Sequence, residues 1–272
     1  METSRGSSLE RVAEPVGGQG SRGARGTLGV LRVFEQVALD QPVSLTELTA
    51  RLGVPTTTVH RALATLQRAG WIRSAGGQSR RWVVATRLHA LIGSRLSDLV
   101  DRASPVLHEL RDATGESVSL SLPDGDAVVV AAHLDGTRAL RVATLDGTRF
   151  PLHLSATGKV LLAQRSEEEI RRYAQSGLAA RTDRSLTTVE ELFDAVASVR
   201  RLGYGVEQDE REFGMASVGA AVCDPEGRIV AGVGISAPTA RLARALPGFG
   251  AQVREAAGEL AARLVIAEEV AS

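Results

Sequence analysis

The chain predicts an α+β fold led by a winged helix-turn-helix, on three observations. Residues 44–84 carry two capped helical patterns and a hairpin, the hydrophobic period changes from helical to alternating after Ser117, and charge is split between the two halves. In SLTELTARLGVPTTTVHRALATLQRAGWIRSAGGQSRRWVV, Ser44 and Glu47 form a capping box, and Leu45, Leu48 and Leu52 recur on one helical face as far as Gly53. Val54 bridges the turn and Pro55 suits the first position of a second helix. Val59, Leu63 and Leu66 give that helix a buried stripe before Gly70 stops it. Its opposite face carries Thr56, Thr57, Thr58, His60, Arg61, Gln67 and Arg68. All can donate hydrogen bonds to phosphates or base edges, and none is acidic.

The wing follows. Trp71–Arg73 and Arg81–Val84 are β-prone runs around Gly76 and Gly77, which suit a hairpin turn. Arg80 and Arg81 lie at the tip or returning edge, placed to meet the DNA backbone. Trp71 and Trp82 are expected as core aromatics.

Formal neutrality conceals an asymmetry. Residues 1–87 hold 12 arginines against 6 carboxylates, whereas residues 88–272 hold 20 basic and 26 acidic residues. The basic part is the one with the helix-turn-helix, where counterion release favours double-stranded DNA. Residues 1–26, rich in Gly, Ser and Arg, are expected as a disordered tail without a secretory h-region. No apolar run approaches the roughly 18 residues a membrane span needs, so a cytoplasmic protein is expected. The single Cys223 excludes an intramolecular disulfide framework and reads as a small buried hydrophobe in a strand. The five histidines show no metal or triad spacing, so no metal, cofactor or catalytic residue is assigned. His60 alone is connected with DNA, and the others with packing or surface roles.

The winged domain is placed at 27–86, a linker helix at 87–103 and an α+β domain at 104–272. Leu88, Leu91, Ile92, Leu96, Leu99 and Val100 mark the linker, a candidate dimer surface, and Ser104-Pro105 opens a further helix ending at Gly115. Ser117–Leu122, Ala127–Leu134, Ala139–Leu145, Ala216–Cys223 and Ile229–Ile235 read as strands. Capping boxes at Ser166–Glu169 and Thr188–Glu191 open two helices, the second stopping near Gly203, and Pro247–Ala267 forms a last one. Leu-Asp-Gly-Thr-Arg occurs at 134 and again at 145, marking successive hairpin turns rather than a repeat architecture.

Lys159 is the only lysine among 32 basic side chains. His153 stands where a P-loop requires glycine and Val160 follows the lysine, which excludes that motif. A Schiff-base lysine is the enzymatic reading of Lys159. A structural ammonium capping carbonyls or pairing with a carboxylate, at the start of a helix over 158–164, is the preferred one. The amides of Ala156, Thr157 and Gly158 would form an anion site.

The order VPTTTVHRALATLQRAGWI, LHLSATGKVLLA (152–163), GYGVEQDEREFGMASVGAAV (203–222) and GRIVAGVGISAP (227–238) resembles the isocitrate lyase regulator (IclR) family of bacterial transcription factors, over about residues 27–268. The resemblance implies a GAF-like effector domain, a dimer or a dimer of dimers, and repression or activation of catabolic operons. It also implies an effector pocket at Ala156, Thr157, Glu207, Ser217, Gly234 and Ser236. Ser217 stands where relatives often have cysteine and Gly234 where some have serine, which removes a hydroxyl and widens the pocket. Asp209, Glu210 and Glu212 are expected as a solvated acidic loop. The expected function is a DNA-binding regulator modulated by a small organic acid. A small-molecule enzyme with a winged-helix interaction module, and a regulator that answers to no ligand, are the alternatives.

Overall fold

The computed structural model describes residues 22–75, 80–86, 88 and 94–271. Two compact units divide between Arg95 and Leu96. In the first, α1 (Arg22–Asp40) precedes β1 (Val43–Ser44), α2 (Leu45–Leu52), α3 (Thr56–Arg68), β2 (Ile72–Ser74) and β3 (Arg81–Val84). Both halves of the Ser44–Glu47 capping box form, and Gly53, at φ 62°, closes α2 by donating to the Thr49 carbonyl. Val33 and Val37 of α1 pack with Leu48, Val59, Leu63, Leu66, Ile72 and Trp82 into one core. The three strands pair antiparallel in the order β1-β3-β2, so the hairpin gains a third strand from Val43 and Ser44.

Three expectations need correction. Helix α1 begins at Arg22, inside the segment expected to lack structure. Pro55 occupies the cap position rather than the first helical one, with φ −56° and ψ 139°, an extended ψ that keeps it outside the helix. Trp71 is 37% exposed and stands edge-on to Phe34, at 5.4 Å between ring centroids, whereas Trp82 is buried. The Gly76-Gly77 turn, with most of the Leu88–Ile92 stripe, lies outside the described residues.

The second unit comprises α4 (Ser94–Thr114), β4 (Ser117–Asp124), β5 (Ala127–Leu134), β6 (Arg149–Pro151), a 3₁₀ turn (Leu152–Leu154), α5 (Ala156–Ala163), α6 (Glu167–Gln175), α7 (Val189–Leu202), β7 (Gly205–Gln208), β8 (Met215–Cys223), β9 (Ile229–Pro238) and α8 (Thr239–Ala271). Six antiparallel strands form one sheet in the order β6-β5-β4-β9-β8-β7. Alternation sends Val118, Leu120, Val218, Ala220, Val233 and Ile235 to one face, where Val106, Leu107 and Leu110 of α4 and Val253 and Leu260 of α8 cover them. The residues between them turn to the opposite face, toward α5.

Pro105 and Pro247 both lie inside helices, where helix starts were expected. Each lacks the N–H for one helical bond, and α4 continues because Ala103, Val106, Leu107 and Leu110 around its proline are buried. Residues 139–145 form no strand. The segment is a loop whose Val142 carbonyl accepts from the Ser117 hydroxyl at 2.6 Å, while the Gly136 amide donates to that Ser117 hydroxyl oxygen at 3.0 Å. The first Leu-Asp-Gly-Thr-Arg copy therefore anchors that loop instead of turning a hairpin. The second turns at Gly147, φ 81°, into β6.

Close backbone approach sets α5 on the sheet. A Cβ on Gly205 would lie 2.1 Å from the Ala156 carbonyl oxygen, and one on Gly219 would lie 2.6 Å from the Thr157 methyl. Only glycine at these two positions lets the N-terminus of α5 reach strands β7 and β8.

Candidate functional site

On α3, Val59, Ala62, Leu63 and Leu66 are buried, which fixes the helix and turns Thr56, Thr57, Thr58, His60, Arg61, Gln67 and Arg68 outward, all exposed. Seven donors on one face with no carboxylate among them match a phosphate and base-edge surface. Arg80 sits over the Trp82 ring at 5.2 Å. Arg81 is committed differently from expectation. Its guanidinium donates to the Pro42 carbonyl at 2.7 Å and to Glu47 at 3.1 Å, tying β3 to the start of α2. Hydrogen bonds from Ser44, and then Arg81, hold the Glu47 carboxyl below the usual range.

In the second unit, the inner face of the sheet and the N-terminus of α5 border a small, half-open concavity with a volume of about 30 Å³. Ser155 caps α5 by accepting from Gly158. Of the six expected effector residues, Ala156, Thr157, Ser217, Gly234 and Ser236 line this space. Glu207 does not. It is fully buried behind the wall, where one carboxylate oxygen accepts from the Glu210 and Arg211 amides at 3.0 and 3.2 Å and the other from the Ser217 hydroxyl at 3.1 Å. A Cβ on Gly234 would stand 3.4 Å from the Ser119 hydroxyl, so the missing side chain opens space between β4 and β9.

Sequence reasoning missed Ser119, Ser121, Thr144, Phe150 and Arg211, which also line the concavity. The serines had a signal: SVSLSL at 117–122 alternates hydroxyls with Val and Leu, a strand with one apolar and one polar face. Arg211 had none, standing in an acidic run. Its guanidinium lies 4.1 Å from the Phe150 ring centroid and 3.7 Å from the Met215 sulfur. Among the described residues no carboxylate pairs with it. Burial pushes its pKa down, and Glu207 pulls it partly back.

Lys159 takes the structural role. Its ammonium, 2% exposed, donates to the Val206 carbonyl at 2.7 Å and to both Glu210 oxygens at 2.5 and 2.6 Å. Glu210 is therefore not part of a solvated loop. Burial pushes its carboxyl above the ordinary range and Lys159 draws it part of the way back. Asp209, at φ 58°, accepts from the Gly214 amide and the Thr239 hydroxyl, which joins this loop to the start of α8. Cys223, expected as buried, is half-buried at the end of β8, with burial raising its thiol pKa.

His153 is buried under α5. The Tyr173 hydroxyl accepts from the His153 amide at 3.1 Å and faces Nδ1 at 2.7 Å, while Nε2 faces the Ala179 carbonyl at 3.2 Å. That pattern fits a neutral ring protonated on Nε2, and burial holds its pKa below 6.5. The unfolded chain therefore binds the proton first on acidification, and stability falls as pH drops below 6.5 toward the folded value. Urea melts of His153→Gln should lose this component of the pH slope; an unchanged slope would assign it to other groups.

The exposed donor face on a helix-turn-helix and the concavity in a separate α+β unit define a DNA-binding transcriptional regulator with a ligand-binding C-terminal domain. The IclR helix-turn-helix domain matches residues 27–76, and the bacterial transcriptional regulator IclR C-terminal domain matches residues 94–262. The chain belongs to the IclR family of bacterial transcriptional regulators. It is 33% identical to the HTH-type transcriptional regulator BhcR of Paracoccus denitrificans over 90% of this chain and 89% of that one. It is 30% identical to the transcriptional repressor IclR of Escherichia coli, over 85% and 86%. These relatives are regulators, not enzymes. Among solved structures, a transcriptional regulator from Rhodococcus sp. RHA1 is similar at TM-score 0.69, with 28% identity over 89% and 99% of the two chains. An IclR homologue from Microbacterium hydrocarbonoxydans complexed with 4-hydroxybenzoate shares the fold at TM-score 0.72 and 22% identity, over 89% and 99%.

Proposed function

We propose that this regulator binds its operator as a homodimer or dimer of dimers and that a small organic acid, held in the concavity of the second unit, modulates that binding. Arg211 carries the reading. A half-buried guanidinium with no carboxylate within ion-pair distance among the described residues is only partly compensated, and an anion in the adjoining space would supply the missing charge. The amides at the start of α5 add a favourable field for the same anion. The acid acts by binding the operator-competent and operator-incompetent states unequally. On the DNA side, the α3 face reads the major groove and Arg80 meets backbone phosphate. A second copy matches a two-fold half-site arrangement.

The test is operator affinity of the full chain, by fluorescence anisotropy, with and without a panel of carboxylic acids. At least one acid is expected to shift affinity by about fivefold or more. Gly234→Leu, which fills the space beside Ser119, should remove that shift and leave ligand-free operator binding unchanged. Operator binding indifferent to every acid would favour a ligand-independent regulator.

A further inference from the structure

We infer that the concavity selects a hydroxylated monocarboxylate, with Arg211 reading the carboxylate and Ser217 accepting a hydrogen bond from a ligand hydroxyl. The inference rests on the proposed acid site and specifies its chemistry.

Charge sets the first limit. Arg211 is the one ionised side chain in a lining otherwise made of hydroxyls, small and aliphatic residues and the Phe150 ring. One carboxylate is matched by the guanidinium, whose fork of donors suits that group. A second carboxylate would enter the same space with no cation to meet it, at the cost of partly desolvating an unpaired charge.

Hydrogen-bond polarity sets the second. The Ser217 hydroxyl gives its only proton to one oxygen of Glu207, whose other oxygen accepts from the Glu210 and Arg211 amides. Toward the cavity Ser217 can therefore only accept. A ligand methylene leaves that acceptor unsatisfied, and a ligand keto oxygen presents acceptor to acceptor. A ligand O–H completes it. Ser119, Ser121 and Ser236, on the same face of β4 and β9, have no protein partner for their hydroxyls among the described residues and can bond in either sense to further ligand hydroxyls. The Arg211 amide bonds the same Glu207 carboxylate that holds Ser217, so the carboxylate reader and the hydroxyl reader share one support.

Isothermal titration of the full chain decides this with three matched pairs: D-glycerate and propionate, D-gluconate and hexanoate, 4-hydroxybenzoate and benzoate, with succinate as the dianion. At least one hydroxylated member should bind about tenfold or more tightly than its unhydroxylated partner and than succinate. The pair that responds separates an aliphatic from an aromatic ligand. Arg211→Lys should weaken that binding and Arg211→Gln abolish it, with thermal unfolding recorded for both. Ser217→Ala should collapse the ratio within the responding pair while leaving the unhydroxylated acid little changed, a split that a merely structural serine would not produce. Tighter binding of succinate or of an unhydroxylated acid, still dependent on Arg211, overturns the inference and leaves the acid site standing. Binding of none of the seven overturns both.

Discussion

Lys159→Met is expected to destabilise the second unit by about 3–5 kcal/mol. The methionine stem keeps the volume and removes the charge. Glu210 is then left buried, 8% exposed, with Glu207 three residues away and its carboxylate facing no cation. The Val206 carbonyl loses its donor at the same stroke. Breaking a buried pair by removing one partner leaves the full desolvation penalty of the other, whereas removing both leaves little. Lys159→Met combined with Glu210→Leu should therefore recover most of the loss. A second signature follows from the sign of the Glu210 shift. With its carboxyl already held above the ordinary range, and Lys159 no longer lowering it, Glu210 takes up a proton more readily in the folded variant. The deficit should shrink as pH is lowered from about 7 toward 5. The readouts separate cleanly, because both tryptophans, Trp71 and Trp82, lie in the first unit. Urea melts followed by circular dichroism should show the loss, and the tryptophan-reported transition should stay in place. A variant as stable as the wild type at neutral pH would sink the assignment.

The singularity of this lysine has a physical sense beyond stability. An ammonium directs three donors from one point, and here both carboxylate oxygens and one carbonyl converge on it. Fixing Glu210 fixes the loop 209–214, which carries Arg211 to the concavity and, through Asp209, reaches the first residue of α8. A ligand that pulls on Arg211 thus acts on a loop with few ways to yield.

Local chemistry was the legible part of this chain. Capping boxes at Ser44, Ser166 and Thr188 appear where the sequence places them because each depends on two residues three apart. Strand β5 is found at its expected bounds, Ala127–Leu134, since its run of valines is closed at the N-terminal side by Gly125. The misreadings come from tertiary context. Pro105 and Pro247 suggest helix starts by propensity, and helices run through both. Residues 139–145 are β-prone, yet the Val142 carbonyl bonds the Ser117 side chain rather than a neighbouring strand. The effector residues divide in the same way. Five of the six line one concavity, while Glu207 supports its wall from behind, a distinction that depends on which side of β7 the loop returns. Arg211 was invisible because nothing in EQDEREF says which member of a charged run turns inward.

Arg61→Ala together with Arg68→Ala is expected to weaken operator binding about 100-fold or more at physiological salt, with no change in thermal unfolding. Both side chains are exposed on α3 and neither belongs to the core that Val59, Ala62, Leu63 and Leu66 build, so the folded state loses nothing with them. Their worth lies in the complex. Each arginine on a phosphate releases about one counterion, so the slope of log affinity against log salt should flatten by about 0.9 for every arginine–phosphate pair removed per bound protomer. An arginine reading guanine instead would leave the slope nearer its original value and relax sequence preference at one base pair by about 1–3 kcal/mol. Comparing operator with scrambled DNA at several salt concentrations distinguishes the two roles for each residue. Thr57→Ala, at the N-terminal turn of α3, should weaken operator binding by a smaller factor, because a neutral hydroxyl contributes one uncharged hydrogen bond. Arg81→Ala is the instructive contrast: with its donors engaged by Pro42 and Glu47, it should lower the stability of the first unit before it alters the salt slope. If the double arginine variant binds operator as the wild type does, α3 does not present its outward face to DNA.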